Sequence, residues 1–215
     1  ILENTKVVNA YREEEGWTIT LDNGEIIKSK ILINAAGPWI NETVNNVLKI
    51  NAKKSIRLVR GSHIITKKLY EEEVAFTLQN DDKRIVFVIP YKDEYSLIGT
   101  TEVDVNSPDN PSISDEEKIY LINIINNHFV KQISQEDIVD TYSGIRPLIE
   151  DFKEASKVTR DYVFDLSSEN NKSPLLNIYG GKLTTYRKLS EKVMEELSPY
   201  LSKKNTKNWT ASKPL

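Results

Sequence analysis

The sequence predicts an α+β fold whose sheets are mainly antiparallel. Three observations predict it. Short β-rich runs with polar joins fill residues 6–34 and about 53–139. Apolar residues at helical spacing are confined to three stretches, after Pro38, after Ser114 and from Leu183 onward. A glycine pair, Gly180-Gly181, stands between an apolar run and the last of these helical patterns.

Taken in order, Lys6–Arg12 and Trp17–Leu21 read as strands around a polar turn, and Asp22-Asn23-Gly24 is a hairpin signal. Lys30–Asn34 is a further apolar strand running into Ala35-Ala36-Gly37. Pro38 fits the first turn of a helix, whose apolar positions are Trp39, Ile40, Val44 and Leu48. Ile56–Thr66, Val74–Leu78, Arg84–Pro90 and Ser96–Thr100 follow as strands of one antiparallel sheet, and Asn106–Ser112 as a proline-containing loop. Ser114-Asp115-Glu116-Glu117 is a capping box, opening a helix with the stripe Ile119, Ile122, Ile125 and Phe129. Val139–Ser143, Val158–Phe164 and Leu175–Tyr179 are strand-like. The closing helix places Leu183, Tyr186, Leu189, Val193 and Leu197 on one face, and residues 202–215 read as a linker.

Bulk properties exclude several classes. At 215 residues with 39% hydrophobic content, the chain can bury a core of one or two domains. A net charge of −3 gives no footprint for wholesale nucleic-acid binding. The absence of cysteine excludes disulfides, thiolate nucleophiles and cysteine-ligated metals, and no metal-ligand cluster stands out. No apolar run approaches the ~20 residues that span a bilayer. Opening on Ile-Leu-Glu-Asn, the chain has neither an initiator methionine nor a leader pattern, and reads as a piece of something longer.

The chemistry concentrates in a few residues. Gly180-Gly181-Lys182 before a helix pattern describes a strand ending at a helix N-terminus, where free N–H groups and a lysine suit an anionic or electron-accepting group. A plain glycine turn onto a surface helix accounts for the same residues. His128, late in its helix beside two asparagines, reads as a surface histidine. His63 follows Arg60-Gly61-Ser62 within a β-rich run; on residues alone a structural histidine accounts for it. Arg146 and Arg160 sit in strand-like surroundings. The planar fork of arginine matches phosphate or carboxylate, while pairing with neighbours such as Asp161 is the plain alternative.

Six phrases occur in a fixed order: Asn34-Ala35-Ala36-Gly37-Pro38-Trp39, Arg60-Gly61-Ser62-His63, Ile98-Gly99-Thr100-Thr101, Tyr142-Ser143-Gly144-Ile145-Arg146-Pro147-Leu148, Thr159-Arg160-Asp161-Tyr162 and Gly180-Gly181-Lys182-Leu183-Thr184-Thr185-Tyr186-Arg187. Together they resemble the FAD-dependent glycerol-3-phosphate dehydrogenases, from about Lys6 to the end of the chain. The resemblance implies part of an FAD-binding α/β domain of the D-amino-acid-oxidase/glutathione-reductase-like type, from residues 1–52 and 140–201. Residues 53–139 would be the antiparallel substrate domain, and 202–215 a linker towards a C-terminal domain not included here.

The resemblance also assigns roles. His63 would face the flavin and take the proton of the substrate hydroxyl, a task for which an imidazole titrating near neutral pH is apt. Arg146, Arg160 and Lys182 would hold the substrate phosphate and polarise the reacting oxygen, with Thr185 as a hydroxyl partner. Asn34, Ala35, Ala36, Gly37 and Trp39 would line the FAD, as would Gly181, Lys182, Leu183 and Thr184. Ala36 stands where such phrases often carry threonine, which leaves a backbone contact but no hydroxyl. The implied reaction oxidises sn-glycerol 3-phosphate to dihydroxyacetone phosphate by hydride transfer to FAD. Electrons would pass to a quinone or another acceptor, in a protein that is cytoplasmic or peripheral on the cytoplasmic face of the inner membrane.

The chain also departs from that family. None of its eight glycines forms the Gly-x-Gly-x-x-Gly turn that holds a dinucleotide pyrophosphate, an element that in the family lies upstream of Lys6. The expectation is therefore that the 215 residues alone neither hold FAD tightly nor turn over. A non-catalytic remnant, an oxygen-using glycerol-3-phosphate oxidase, and an oxidase of another hydroxy or amino acid are the alternatives.

Overall fold

The computed structural model describes residues 1–150, 161–170, 172–202 and 209–213. The described residues form two compact units. One comprises Ile1–Ile56 and everything described from Pro147 onward; the other is Arg57–Arg146.

The first unit opens with a meander of β1 (Val7–Glu13), β2 (Gly16–Leu21) and β3 (Ile26–Ser29), paired antiparallel in that order. The predicted Asp22-Asn23-Gly24 turn joins β2 to β3. Gly24 takes φ +86°, and the Leu21 amide donates to the Glu25 carbonyl at 2.9 Å. A second sheet has the order β11 (Tyr162–Glu169), β12 (Lys172–Gly180), β4 (Leu32–Asn34). β12 runs antiparallel to β11 but parallel to β4, with Asn177 opposite Asn34. β12 is buried on both faces, as its apolar run, interrupted only by Asn177, requires. Leu175 packs with Trp17, Ile19, Val44 and Leu48 on one side; Leu176 and Ile178 pack with Val193 and Leu197 on the other.

Two helices of this unit depart from the predicted regularity. After Pro38 the chain makes a 3-10 turn (Gly37–Trp39), one α-turn, α1 (Ile40–Glu42), and a π-helical turn (Thr43–Val47), with the Leu48 amide reaching back to the Thr43 carbonyl. Ile40, Val44 and Leu48 are buried as expected, but Trp39 is 42% exposed, because the tighter first turn rotates it off the stripe. The closing helix α3 spans Tyr186–Leu197, and a 3-10 turn (Leu183–Thr185) precedes it. Val193 and Leu197 are buried. Leu183, expected on the same face, is 88% exposed in that turn.

The second unit is one sheet of order β10 (Ile138–Ile149), β5 (Ile56–Lys67), β8 (Tyr95–Gly99), β7 (Ile85–Tyr91), β6 (Phe76–Gln79), with β9 (Val103–Val105) also paired to β5. β5 enters this unit from the first, and β10 leaves it at Arg146. α2 (Asp115–His128) packs Leu121, Ile122, Ile124 and Ile125 against Ile64, Val86, Val88 and Ile98 of the sheet. Ile122 and Ile125 were expected there. Ile119 is instead 47% exposed, since two residues before Leu121 is about 200° round the helix.

Alternation along β7 leaves Ile85, Phe87 and Ile89 on the opposite face of the sheet, away from the core formed with α2. That face also carries His63.

Candidate functional site

On the open face of the second unit's sheet, His63 of β5, Gly99 of β8 and Phe87 of β7 lie in one cross-strand row. The His63 ring fills the space above Gly99, where an added Cβ would come within 2.2 Å of the ring carbon Cδ2. Tyr142 of β10 stacks on the imidazole, ring centroids 4.5 Å apart and planes 4° from parallel. Arg146, four residues further along β10, lies over Gly61 in the same way: a Cβ there would fall 2.3 Å from Nη1. Its Nη2 donates to the Thr100 hydroxyl at 3.0 Å and Nη1 to the Thr101 carbonyl at 3.4 Å. Two glycines of ordinary φ thus act as floors for the side chains of His63 and Arg146.

The electrostatics follow. Burial, and secondarily the positive charge of Arg146, push the His63 pKa down to about 4. The imidazole is therefore neutral at physiological pH. Its Nδ1 is buried with no hydrogen-bond partner among the described residues. A neutral, held imidazole beside a fixed guanidinium can accept a proton while the guanidinium binds an anion.

The other face of the same strands explains how this geometry is held. Ser62 and Ser143 share a hydrogen bond of 2.9 Å, and the Ser62 hydroxyl also donates to Glu117 Oε1. The Thr101 hydroxyl and Arg60 donate to the same carboxylate. The second oxygen of Glu117 accepts from the Ser114 amide in the capping box. Burial raises the Glu117 pKa, but the bonds from Thr101, Ser114, Ser62 and Arg60 outweigh it and hold the carboxyl below its ordinary value. Glu117 thus ties β5, the end of β8 and α2 together directly behind His63.

In the first unit the predicted cofactor residues gather at the C-terminal ends of the parallel strands β4 and β12. Asn34 is buried. Its Nδ2 donates to Asn177 Oδ1 at 3.0 Å and its Oδ1 accepts from the Ala36 amide. The Ala36 carbonyl accepts from the Trp39 amide, so both backbone groups of Ala36 serve the turn itself. Ala35 is exposed, and Gly37 takes φ +53°. A cavity of about 370 Å³ opens beside these residues, with a mostly apolar lining that includes Asn34, Ala35, Ala36, Trp39 and Val47, and with Lys6 and Glu42 also at its wall. At the end of β12, Gly180 and Gly181 take φ +76° and +101°, which only glycine adopts freely. Lys182, Leu183 and Thr184 are exposed, and no side chain caps the turn they begin. The Thr185 hydroxyl donates back to the Lys182 carbonyl at 3.1 Å. Arg160 lies outside the described residues.

The structure therefore brings His63 and Arg146 together on one sheet, and gathers Asn34–Trp39 with Gly181–Thr184 at neighbouring strand ends. It adds Tyr142, Glu117, Gly61 and Gly99, to which sequence reasoning gave no role. Three of the four sit inside the quoted phrases, whereas Glu117 carried only its capping signal.

Comparison with known proteins adds four findings. A family model described as FAD dependent oxidoreductase matches residues 1–187. Aerobic glycerol-3-phosphate dehydrogenase of Escherichia coli is 44% identical over 93% of this chain and 41% of its own length. D-erythritol 1-phosphate dehydrogenase of Brucella abortus is 40% identical over the whole chain and 44% of its own. The FAD-complexed glycerol-3-phosphate dehydrogenase from Bacillus halodurans shares the fold at a TM-score of 0.76, with 22% identity over 96% of this chain and 41% of that one. The chain spans about two fifths of the length of these relatives.

Proposed function

The chain belongs to the FAD-dependent oxidoreductase family, and from that premise we propose that it is the substrate-binding and partial cofactor-binding portion of a glycerol-3-phosphate dehydrogenase. The observation that carries this is the pair on one sheet face: a neutral, buried-edge imidazole at His63 and a guanidinium seated over Gly61 at Arg146. A phosphorylated polyol needs both an anion clamp and a proton acceptor at the hydroxyl to be oxidised.

In this reading Arg146 binds the phosphate, a role the sequence resemblance also implies for Arg160 and Lys182. His63 accepts the proton of the C2 hydroxyl as that carbon becomes a carbonyl. Binding the phosphate away from C2 orients the reacting carbon, so that binding energy goes into positioning. FAD, when bound, supplies the acceptor for the C2 hydride, giving dihydroxyacetone phosphate.

The first unit fits a flavin in part. The apolar cavity beside Asn34–Trp39, the exposed Trp39 and Leu183, and the uncapped turn after Gly181 suit a flat, partly apolar, electron-accepting ring system. The sequence holds no pyrophosphate-binding glycine turn, so these residues by themselves give FAD a partial seat. Asn34 and Asn177 would set the shape of that seat, and Gly181–Thr184 would supply N–H groups and Lys182 its charge. The final acceptor in this reading is a quinone or another electron acceptor, with the longer protein cytoplasmic or peripheral on the cytoplasmic face of the inner membrane; among the described residues no helix is long and apolar enough to cross one.

A four-carbon polyol phosphate is the second reading, favoured by the 40% identity to the erythritol phosphate enzyme. Both are tested by a chimera in which this chain replaces the matching segment of the Escherichia coli relative. Anaerobic bleaching of its flavin by glycerol 3-phosphate supports the first reading. Faster bleaching by erythritol phosphate supports the second, and bleaching by glycine alone overturns both.

A further inference from the structure

The open face of the second unit's sheet holds three glycines whose φ lies outside the left-handed region. Two have evident reasons for lacking a side chain: Gly61 lies under Arg146 and Gly99 under His63. The third, Gly144, has none among the described residues. Its φ demands no glycine, and a Cβ built there meets no atom of the described residues within 4 Å. Glycine inside a strand weakens it and commonly marks the close approach of a ligand or another backbone. The remaining glycines are set apart by their positive φ values.

The position of Gly144 is specific. Alternation along β10 places Tyr142, Gly144 and Arg146 on one face. The contacts identify that face as the one on which Tyr142 stacks on His63 and Arg146 lies over Gly61. Ser143 points the other way, to Ser62. Gly144 is thus the gap between the stacked His63–Tyr142 pair and the guanidinium. Tyr142 and Arg146 each stand two residues from Gly144, and the guanidinium lies back over Gly61, two residues or about 7 Å along β5 from His63. The space left suits a short polyol phosphate, with phosphate towards Arg146 and hydroxyl towards His63.

We propose that Gly144 is a specificity-determining position, the floor on which the carbon backbone of the polyol phosphate rests. The proposal rests on the function inferred above and deepens it. Side-chain volume at residue 144 then excludes substrate without disturbing the fold. Alanine narrows the seat, and valine, which suits a strand, closes it.

The test uses the 215-residue chain and its two histidines as reporters. Imidazole NMR signals of His63 and His128 are followed while glycerol 3-phosphate is added to wild type, Gly144→Ala and Gly144→Val, with inorganic phosphate as a second probe. The expected result is a saturable His63 shift in wild type, weakened about tenfold in Gly144→Ala and absent in Gly144→Val. Inorganic phosphate, needing only the Arg146 end, should bind all three alike. Thermal midpoints at or above wild type show that the variants fold. Equal glycerol 3-phosphate affinity in wild type and Gly144→Val overturns the role of Gly144 while sparing the substrate assignment. A wild-type chain whose His63 responds to neither probe overturns the substrate assignment, and the proposal with it.

Discussion

His63 shows how local surroundings change the chemistry of a common residue. Its ring is clamped between Tyr142 and the bare backbone of Gly99, with a guanidinium nearby, so the charged form is disfavoured. A pH titration of the two imidazoles by NMR should find His63 near pH 4, and Arg146→Gln should move it upward by removing the like charge. The sign for stability is fixed by the same shift. An unfolded His63 titrates near 6.5 and binds a proton that the folded site refuses, so its contribution is intact above 6.5 and is lost as pH falls towards about 4. In His63→Gln, stability measured by urea unfolding should lose that part of its acid dependence. The sequence showed the histidine and the arginine but not their company. Stacking and glycine floors arise only when strands pair, and neither β10–β5 nor β5–β8 pairing is written in local spacing.

At the scale of elements, most strands were legible because alternation and turn residues are local signals: β1, β2, β5, β7 and β8 lie within a few residues of their predicted bounds. What escaped depends on partners. β9 is three residues long and exists by pairing with β5. The helix after Pro38 breaks into 3-10, α and π turns, a distortion that apolar spacing does not encode. Regular helix in the closing segment begins at Tyr186, three residues after Leu183, so the glycine pair is followed first by a turn. Glu117 links these elements, because a buried carboxylate accepting from Arg60, Ser62, Thr101 and Ser114 holds the strands behind the site. Glu117→Ala leaves Arg60 without its anion and should cost about 3 kcal/mol, read as a lowered urea midpoint; Glu117→Gln should cost less. Because the Glu117 pKa is depressed, its contribution is also lost in acid, as pH falls below the ordinary carboxylate range.

At the scale of the molecule, the two units divide the chemistry. One carries glycine turns and an apolar cavity at the ends of parallel strands, the position at which α/β sheets bind cofactors. The other carries the imidazole and guanidinium. Because the 215 residues contain no Gly-x-Gly-x-x-Gly turn, the purified chain should be colourless and retain no FAD on gel filtration, whereas the chimera should be yellow. The family was legible from six ordered phrases.

The most direct test of the account measures kcat and KM for glycerol 3-phosphate in the chimera carrying His63→Ala or Arg146→Ala. The account predicts that His63→Ala lowers kcat by about a thousandfold, the scale of a lost general base. Arg146→Ala should chiefly raise KM, by about a hundredfold for a lost charge-assisted phosphate contact. Two variants with near wild-type constants would contradict it, and the sheet face bearing His63 and Arg146 would not be where the substrate is held.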